Sequence, residues 1–131
     1  MTSIVVDSNV LIDVINGRGD YAVLLGKADE VLVPLIVLGE IQSGFSDTSA
    51  DRAKRKAVEN FLAISSVQAI TLTEETVGFY AAVHRQLKQA GTPIPQNDVW
   101  IAAQTLEHGA VLCTRDTDFK AVANLRLVPE E

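Results

Sequence analysis

One cysteine, Cys113, and two histidines, His84 and His108, are all that 131 residues contain of those types. A lone thiol cannot form an intrachain disulfide, so nothing asks for an oxidising compartment. The same three side chains are too few for the N/S ligand set of a typical structural zinc site. Glycine and proline are sparse, 8 and 4, while 47% of residues are hydrophobic, which excludes disordered, low-complexity and repeat chains. Long apolar runs are missing too: the longest, 31–39, contains Pro34 and is too short for a membrane span. The first residues lack the basic and apolar regions of a signal peptide, because Asp7 interrupts the run. No G-x-S-x-G or P-loop occurs, and neither histidine accompanies a serine or cysteine motif. Cations are outnumbered, 11 Lys and Arg to 17 Asp and Glu, and the net charge of -6 discourages a phosphate-backbone binder by composition alone. These absences lead us to expect a soluble cytoplasmic protein without a membrane partner.

What is present alternates between short aliphatic runs and helical patterns. Ile4, Val5 and Val6 read as a strand buried on both faces, stopped by Asp7, Ser8 and Asn9. Ser8 or Asn9 is placed to cap a helix to Asn16 that Gly17 closes, and Asp20 to cap a second helix through Ala28. Further strands are predicted at 30–33, 67–72, 110–113 and 125–128. Helices are predicted at 35–45 and 51–64, then from a Thr73 cap to Ala90, and from an Asn97 cap through Leu106. Residues 46–50 read as a polar loop, and the two prolines of 92–96 keep that segment out of the helices. Strands alternating with helices predict an α/β fold with a mostly parallel sheet.

The chemistry of the chain lies in its acidic residues. Asp7 and Asp116 each follow an aliphatic strand and precede a helical turn, which places them at the carboxyl edge of a parallel sheet, where ligands bind in open α/β folds. Either alone is also an ordinary helix cap. Glu40 interrupts an otherwise apolar helix, and Asp98 opens a helix rich in Trp100, Ile101, Ala102 and Ala103. Four carboxylates gathered at one edge repel one another, and a hard divalent cation such as Mg²⁺ or Mn²⁺ relieves that repulsion. Asp118, two residues past Asp116, reads as a cap or surface charge. Cys113 and Trp100 read as core.

Asp7-Ser8-Asn9 after a hydrophobic strand, Glu40 in Leu-Gly-Glu-Ile, Pro95-Gln96-Asn97-Asp98 before Ile-Ala-Ala, and Thr114-Arg115-Asp116-Thr117-Asp118-Phe119 after Val-Leu-Cys stand in that order. Together they resemble a PIN domain, and the order, spacing and chain length resemble VapC-type toxins of bacterial toxin–antitoxin pairs. The resemblance implies a single PIN-like nuclease domain over 1–131, with a four- to five-stranded sheet flanked by helices. It implies a Mg²⁺- or Mn²⁺-dependent endoribonuclease with Asp7, Glu40, Asp98 and Asp116 as catalytic, metal-binding residues, and Asn9 or Thr114 in a supporting polar role. It also implies a homodimer, an RNA substrate and a cognate antitoxin whose tail reaches the acidic site. Arg52, Lys54, Arg55, Lys56, Arg85, Lys88 and Arg115 are the candidates for RNA backbone contacts.

Two other readings of the acidic residues stand beside this one. A receiver-like regulatory module also binds Mg²⁺ through clustered aspartates, but it asks for paired acidic residues after the first strand and a late lysine. This chain has Asp7 alone, and Thr114-Arg115 late. The other is a PIN-like domain without catalysis, acting only through protein contacts.

Overall fold

A computed structural model describes residues 2–129. Five strands form one parallel sheet in the order β3-β2-β1-β4-β5: β1 Ser3–Val6, β2 Glu30–Pro34, β3 Val67–Ile70, β4 Val111–Cys113 and β5 Leu127–Val128. Helices α1 Ser8–Ile15 and α2 Tyr21–Gly26 link β1 to β2, and α3 Leu35–Ser43 with α4 Ser49–Leu62 links β2 to β3. α5 Glu74–Ala90 and α6 Gln96–Glu107 carry the chain from β3 back past β2 and β1 to β4, after which a short 3₁₀ helix, Thr117–Ala121, precedes β5. The α/β class and the parallel sheet are as expected from the alternation of patterns.

The strand order matters most for the site. From β1 the chain winds one way, to β2 and β3; from β4 it winds the other way, to β5. β1 and β4 pair directly, with Ile4 opposite Val111, Val5 opposite Leu112 and Val6 opposite Cys113. The crevice beyond their carboxyl ends is therefore the topological switch point, where open α/β sheets bind ligands. This order is not the flavodoxin-like 2-1-3-4-5, so a receiver-like module fails on topology.

The sheet is the centre of the core. Val5, Val6, Val33, Leu112 and Cys113 are fully buried, as are Val10 and Leu11 of α1, Ile101 and Ala102 of α6, and Phe119. Cys113 packs as a small hydrophobe. Trp100 is half-buried, stacked on Tyr80 of α5 with ring centroids 3.9 Å apart. α5 ends where Gly91 adopts a left-handed φ of 70°, a conformation that costs glycine nothing.

Several ends differ from the sequence pattern, each for a local reason. Asp7, not Ser8 or Asn9, is the N-cap of α1, its own carboxylate accepting the Ser8 N–H at 2.8 Å. Pro95, not Asn97, precedes α6; its carbonyl takes the Asp98 and Val99 N–H groups at 3.0 and 3.1 Å, so the helix opens at Gln96. α4 begins at Ser49, inside the expected loop, because the Thr48 hydroxyl accepts the Asp51 N–H at 3.1 Å. α2, α3, β3 and β5 are each shorter than their apolar runs.

Leu112 is fully buried at the centre of β4, between β1 and β5. Leu112→Ala is expected to cost about 2–5 kcal/mol of stability, read as a lower urea midpoint at unchanged slope.

Candidate active site

The switch point collects carboxylates from four elements. Asp7 follows β1, Glu40 lies on α3, Asp98 in the first turn of α6, and Asp116 after β4. All four line one cleft of about 590 Å³, together with Ser8, Asn9, Ile12, Pro95, Gln96 and Asn97. Asp7 is buried, Asp98 and Asp116 are half-buried, and Glu40 is exposed on the rim. Glu40 thus escapes the apolar environment that its sequence neighbours suggest, because it sits on the outer side of α3, whose buried side is Val37 and Ile41.

Asp7 is held at both oxygens. Its Oδ1 caps α1 through the Ser8 N–H, and its Oδ2 accepts the Thr114 hydroxyl at 2.7 Å and the Asn9 amide at 3.3 Å. Thr114 is buried, and its Oγ1 in turn accepts the Asp116 N–H at 3.0 Å, so one hydroxyl links the two strand-end aspartates. Asp116 caps the 3₁₀ helix by accepting the Asp118 N–H at 2.9 Å. The Ser8 hydroxyl donates to Glu40 at 3.0 Å, tying α1 to α3 across the cleft. Helix capping and cleft lining are not rival roles for Asp7 and Asp116: each residue does both.

A second tie was not legible in the sequence. Arg115 donates its backbone N–H to Asn9 Oδ1 at 3.1 Å, and its guanidinium pairs with Asp13 at 2.9 Å. Asn9 and Asp13 are four residues apart on α1 and so share a face. That i,i+4 spacing was the available signal; its partner lies a hundred positions away. Asp118 is exposed and does not line the cleft.

The electrostatics follow from this crowding. Burial, then the charges of Asp7, Asp116, Glu40 and Asp118, push the Asp98 carboxyl from 3.8 up to about 7. Burial also raises Asp7, against the opposing hydrogen bonds from Thr114 and Ser8. The Cys113 thiol is pushed up to about 11 by burial and the nearby Asp7, and is inert at neutral pH.

Among the described residues, no three His, Cys, Asp or Glu side chains are grouped closely enough to hold a metal ion by themselves. The donor set nonetheless fits one class of ion. Carboxylates with a hydroxyl and an amide behind them suit a hard cation that keeps much of its water, as Mg²⁺ does when it takes only one or two protein ligands. The raised Asp98 reflects its burial first and the surrounding carboxylate charge second, and a cation would compensate the latter.

A family model of the PIN domain matches residues 4–125, almost the whole fold and all four carboxylates. The chain belongs to the PIN domain family. It is 29% identical over 126 residues to Ribonuclease VapC2 of Rickettsia felis, covering 92% of each protein. With Ribonuclease VapC4 of Mycobacterium tuberculosis it shares 25% over 96 residues, 73% of this chain and 74% of that one. Among solved structures, VapBC2 from Rickettsia felis bound to a DNA fragment from its promoter superposes with a TM-score of 0.82 at 27% identity, over 96% of this chain and 97% of that one. VapBC-1 from nontypeable Haemophilus influenzae shares the fold at a TM-score of 0.81 and 24% identity, over 96% of both chains.

Two outcomes follow for this PIN domain. Folding raises the Asp98 pKa to about 7, so between pH 4 and 7 the folded protein keeps a proton there that the unfolded chain has released. Stability of the metal-free protein therefore falls as pH rises through that window. Asp98→Asn should remove this slope and stabilise the metal-free protein at pH 8 by about 1–3 kcal/mol, allowing for solvent screening. Urea denaturation in chelator at pH 5 and pH 8 checks it; a variant whose slope matches the parent's contradicts it. Added metal should reverse the order of the two proteins.

Proposed function

We propose that the protein is a metal-dependent endoribonuclease, the toxin of a toxin–antitoxin pair that acts in the cytoplasm. The observation that carries this reading is the convergence of Asp7, Glu40, Asp98 and Asp116 on one open cleft at the switch point of a PIN fold. Similarity to proteins named ribonucleases, and to the toxin chains of VapBC complexes, supports RNA as substrate and an antitoxin as partner. The reading takes residues 1–131 as one nuclease domain and includes the homodimer expected of the family. The purely protein-binding alternative gives no reason to gather four like charges in one cleft.

Asp7, Glu40, Asp98 and Asp116 are the residues that would hold Mg²⁺ or Mn²⁺. When bound, such a cation supplies Lewis acidity and local positive charge for phosphodiester hydrolysis, in which water adds to phosphorus and the P–O bond to the leaving oxygen breaks. The protein's own part is positioning. Thr114 and Asn9 fix the rotamer of Asp7, Ser8 turns Glu40 toward the cleft, and the Asp118 N–H holds Asp116. Since Asp7 and Asp116 are anchored from behind, their orientation needs little reorganisation when substrate arrives.

Purified protein free of partner should cut RNA with added Mg²⁺ or Mn²⁺ and stop in chelator. Asp7→Asn should abolish cutting, and Thr114→Val, which removes the support behind Asp7, should lower metal affinity by about 10- to 100-fold. Retained cleavage by Asp7→Asn would overturn the assignment. Separately, Asp118→Asn should be milder than Asp116→Asn, because Asp118 contributes a backbone N–H that survives the substitution; equal losses in kcat/KM would count Asp118 among the ligands.

A further inference from the structure

Among the described residues, the carboxylate cleft has no Lys, Arg or His in its wall to set against Asp7, Glu40, Asp98 and Asp116. A guanidinium nonetheless belongs to the residue next to one of the four. Arg115 directly precedes Asp116, and both line a hollow of about 390 Å³ that shares Asp116 with the cleft. The side chain thus has room to swing toward the Asp116 carboxylate. Crowded carboxylates attract such an internal counter-ion, because opposite charges a few ångströms apart favour each other. A guanidinium that settled there would offset the charge that draws a divalent cation.

The side chain goes elsewhere. Its Nε donates to Asp13 Oδ2 at 2.9 Å, and a terminal N–H faces the Asn9 carbonyl at 3.5 Å. Asp13 lies on α1, one turn past Asn9, and takes no part in the lining of the cleft. Tyr21 borders the pair: burial and then Asp13 raise its hydroxyl, while Arg115 opposes them. The two charges depend on each other unequally. The Asp13 side chain is only 13% exposed, so its carboxylate needs a partner, whereas the Arg115 side chain is 55% exposed and can be served by water. The Arg115 backbone is fixed as well, its N–H on Asn9 Oδ1 at 3.1 Å. Rotation of the side chain alone therefore decides between Asp13 and Asp116.

Resting on the metal-dependent reading, we propose that Asp13 is a positioning residue that holds Arg115 away from the carboxylate cleft. One negative charge outside the site detains the cation that would otherwise neutralise the site from within. With the guanidinium on Asp13, Asp116 keeps its charge as well as its capping bond to the Asp118 N–H. Asn9 likewise keeps its Oδ1 on the Arg115 N–H and its amide on Asp7. Stability alone is a weak reason for the pair, because an ion pair open to water on one side contributes little.

Titration calorimetry of Mn²⁺ into the full chain, purified free of partner, reads this restraint without any cleavage. Asp13→Asn should raise the Mn²⁺ Kd by about 10-fold, the scale of losing a group behind a metal ligand. Asp13→Glu, which keeps the charge, should stay near the parent, and Arg115→Gln should bind at least as tightly as the parent. The double variant decides. With no guanidinium to detain, Asp13→Asn should cost nothing further, so Asp13→Asn with Arg115→Gln should match Arg115→Gln alone. An Asp13→Asn effect of equal size in both backgrounds would be the simple loss of a distant negative charge and overturns the restraint. An Arg115→Gln variant as weak as Asp13→Asn also overturns it, because the pair would then be a structural tie. Failure of the metal reading looks different: the parent itself takes up no Mn²⁺, and the restraint falls with it.

Discussion

Mutual repulsion among carboxylates is the constraint around which this fold is arranged. Asp7, Glu40, Asp98 and Asp116 come from four different elements, and left to themselves they would move apart or take up protons. Asp98 shows the second response, its carboxyl lifted to about 7 by burial first and by the neighbouring carboxylates second. The first is prevented by hydrogen bonds from behind. The Thr114 hydroxyl sits between Asp7 and Asp116, Asn9 braces both Asp7 and the Arg115 backbone, and Ser8 reaches Glu40. None of these supports is itself charged, so each orients a carboxylate without neutralising it. The negative field stays available to a ligand.

Holding that charge in place sets stability against function. The β1–β4 pairing and the buried aliphatic residues of the central strands supply the stability that the cleft gives up. A site built on strand ends and helix starts, rather than on a free loop, keeps its carboxylates in position because the backbone beneath them is already hydrogen-bonded into the sheet and the first helical turns. The same economy explains why Asp7 and Asp116 serve as caps. One oxygen satisfies an orphan N–H group at a helix start, which fixes the side chain for its outward task.

The distribution of charge around the cleft carries more meaning than its total. A net charge of -6 argues against polyanion binding only if the charges are spread evenly, and they are not. Lys54 lines a groove that shares Glu40 with the cleft and also holds Asp51, and Arg115 and Lys120 line a hollow that shares Asp116 with it. Of the seven cations that the family resemblance made candidates for backbone contacts, Lys54 and Arg115 line cavities that share residues with the cleft.

The sequence by itself determined the element types, the parallel α/β class, and the position of Asp7, Asp98 and Asp116 at a strand end or helix start. Those features depend on alternation and helical period, which act between residues a few positions apart. Boundaries at Asp7, Thr48 and Pro95 were less legible, because several neighbouring polar groups compete to cap one helix and the choice turns on backbone angles. What only the tertiary structure decided was adjacency. That β4 lies beside β1, that Thr114 bonds Asp7 across 107 positions, and that Arg115 turns back to Asp13 all follow from the long return through α5 and α6. Strand order depends on how whole crossovers pack on the sheet, and no local pattern encodes that. The four carboxylates were visible one at a time in the chain; the sheet is what makes them one site.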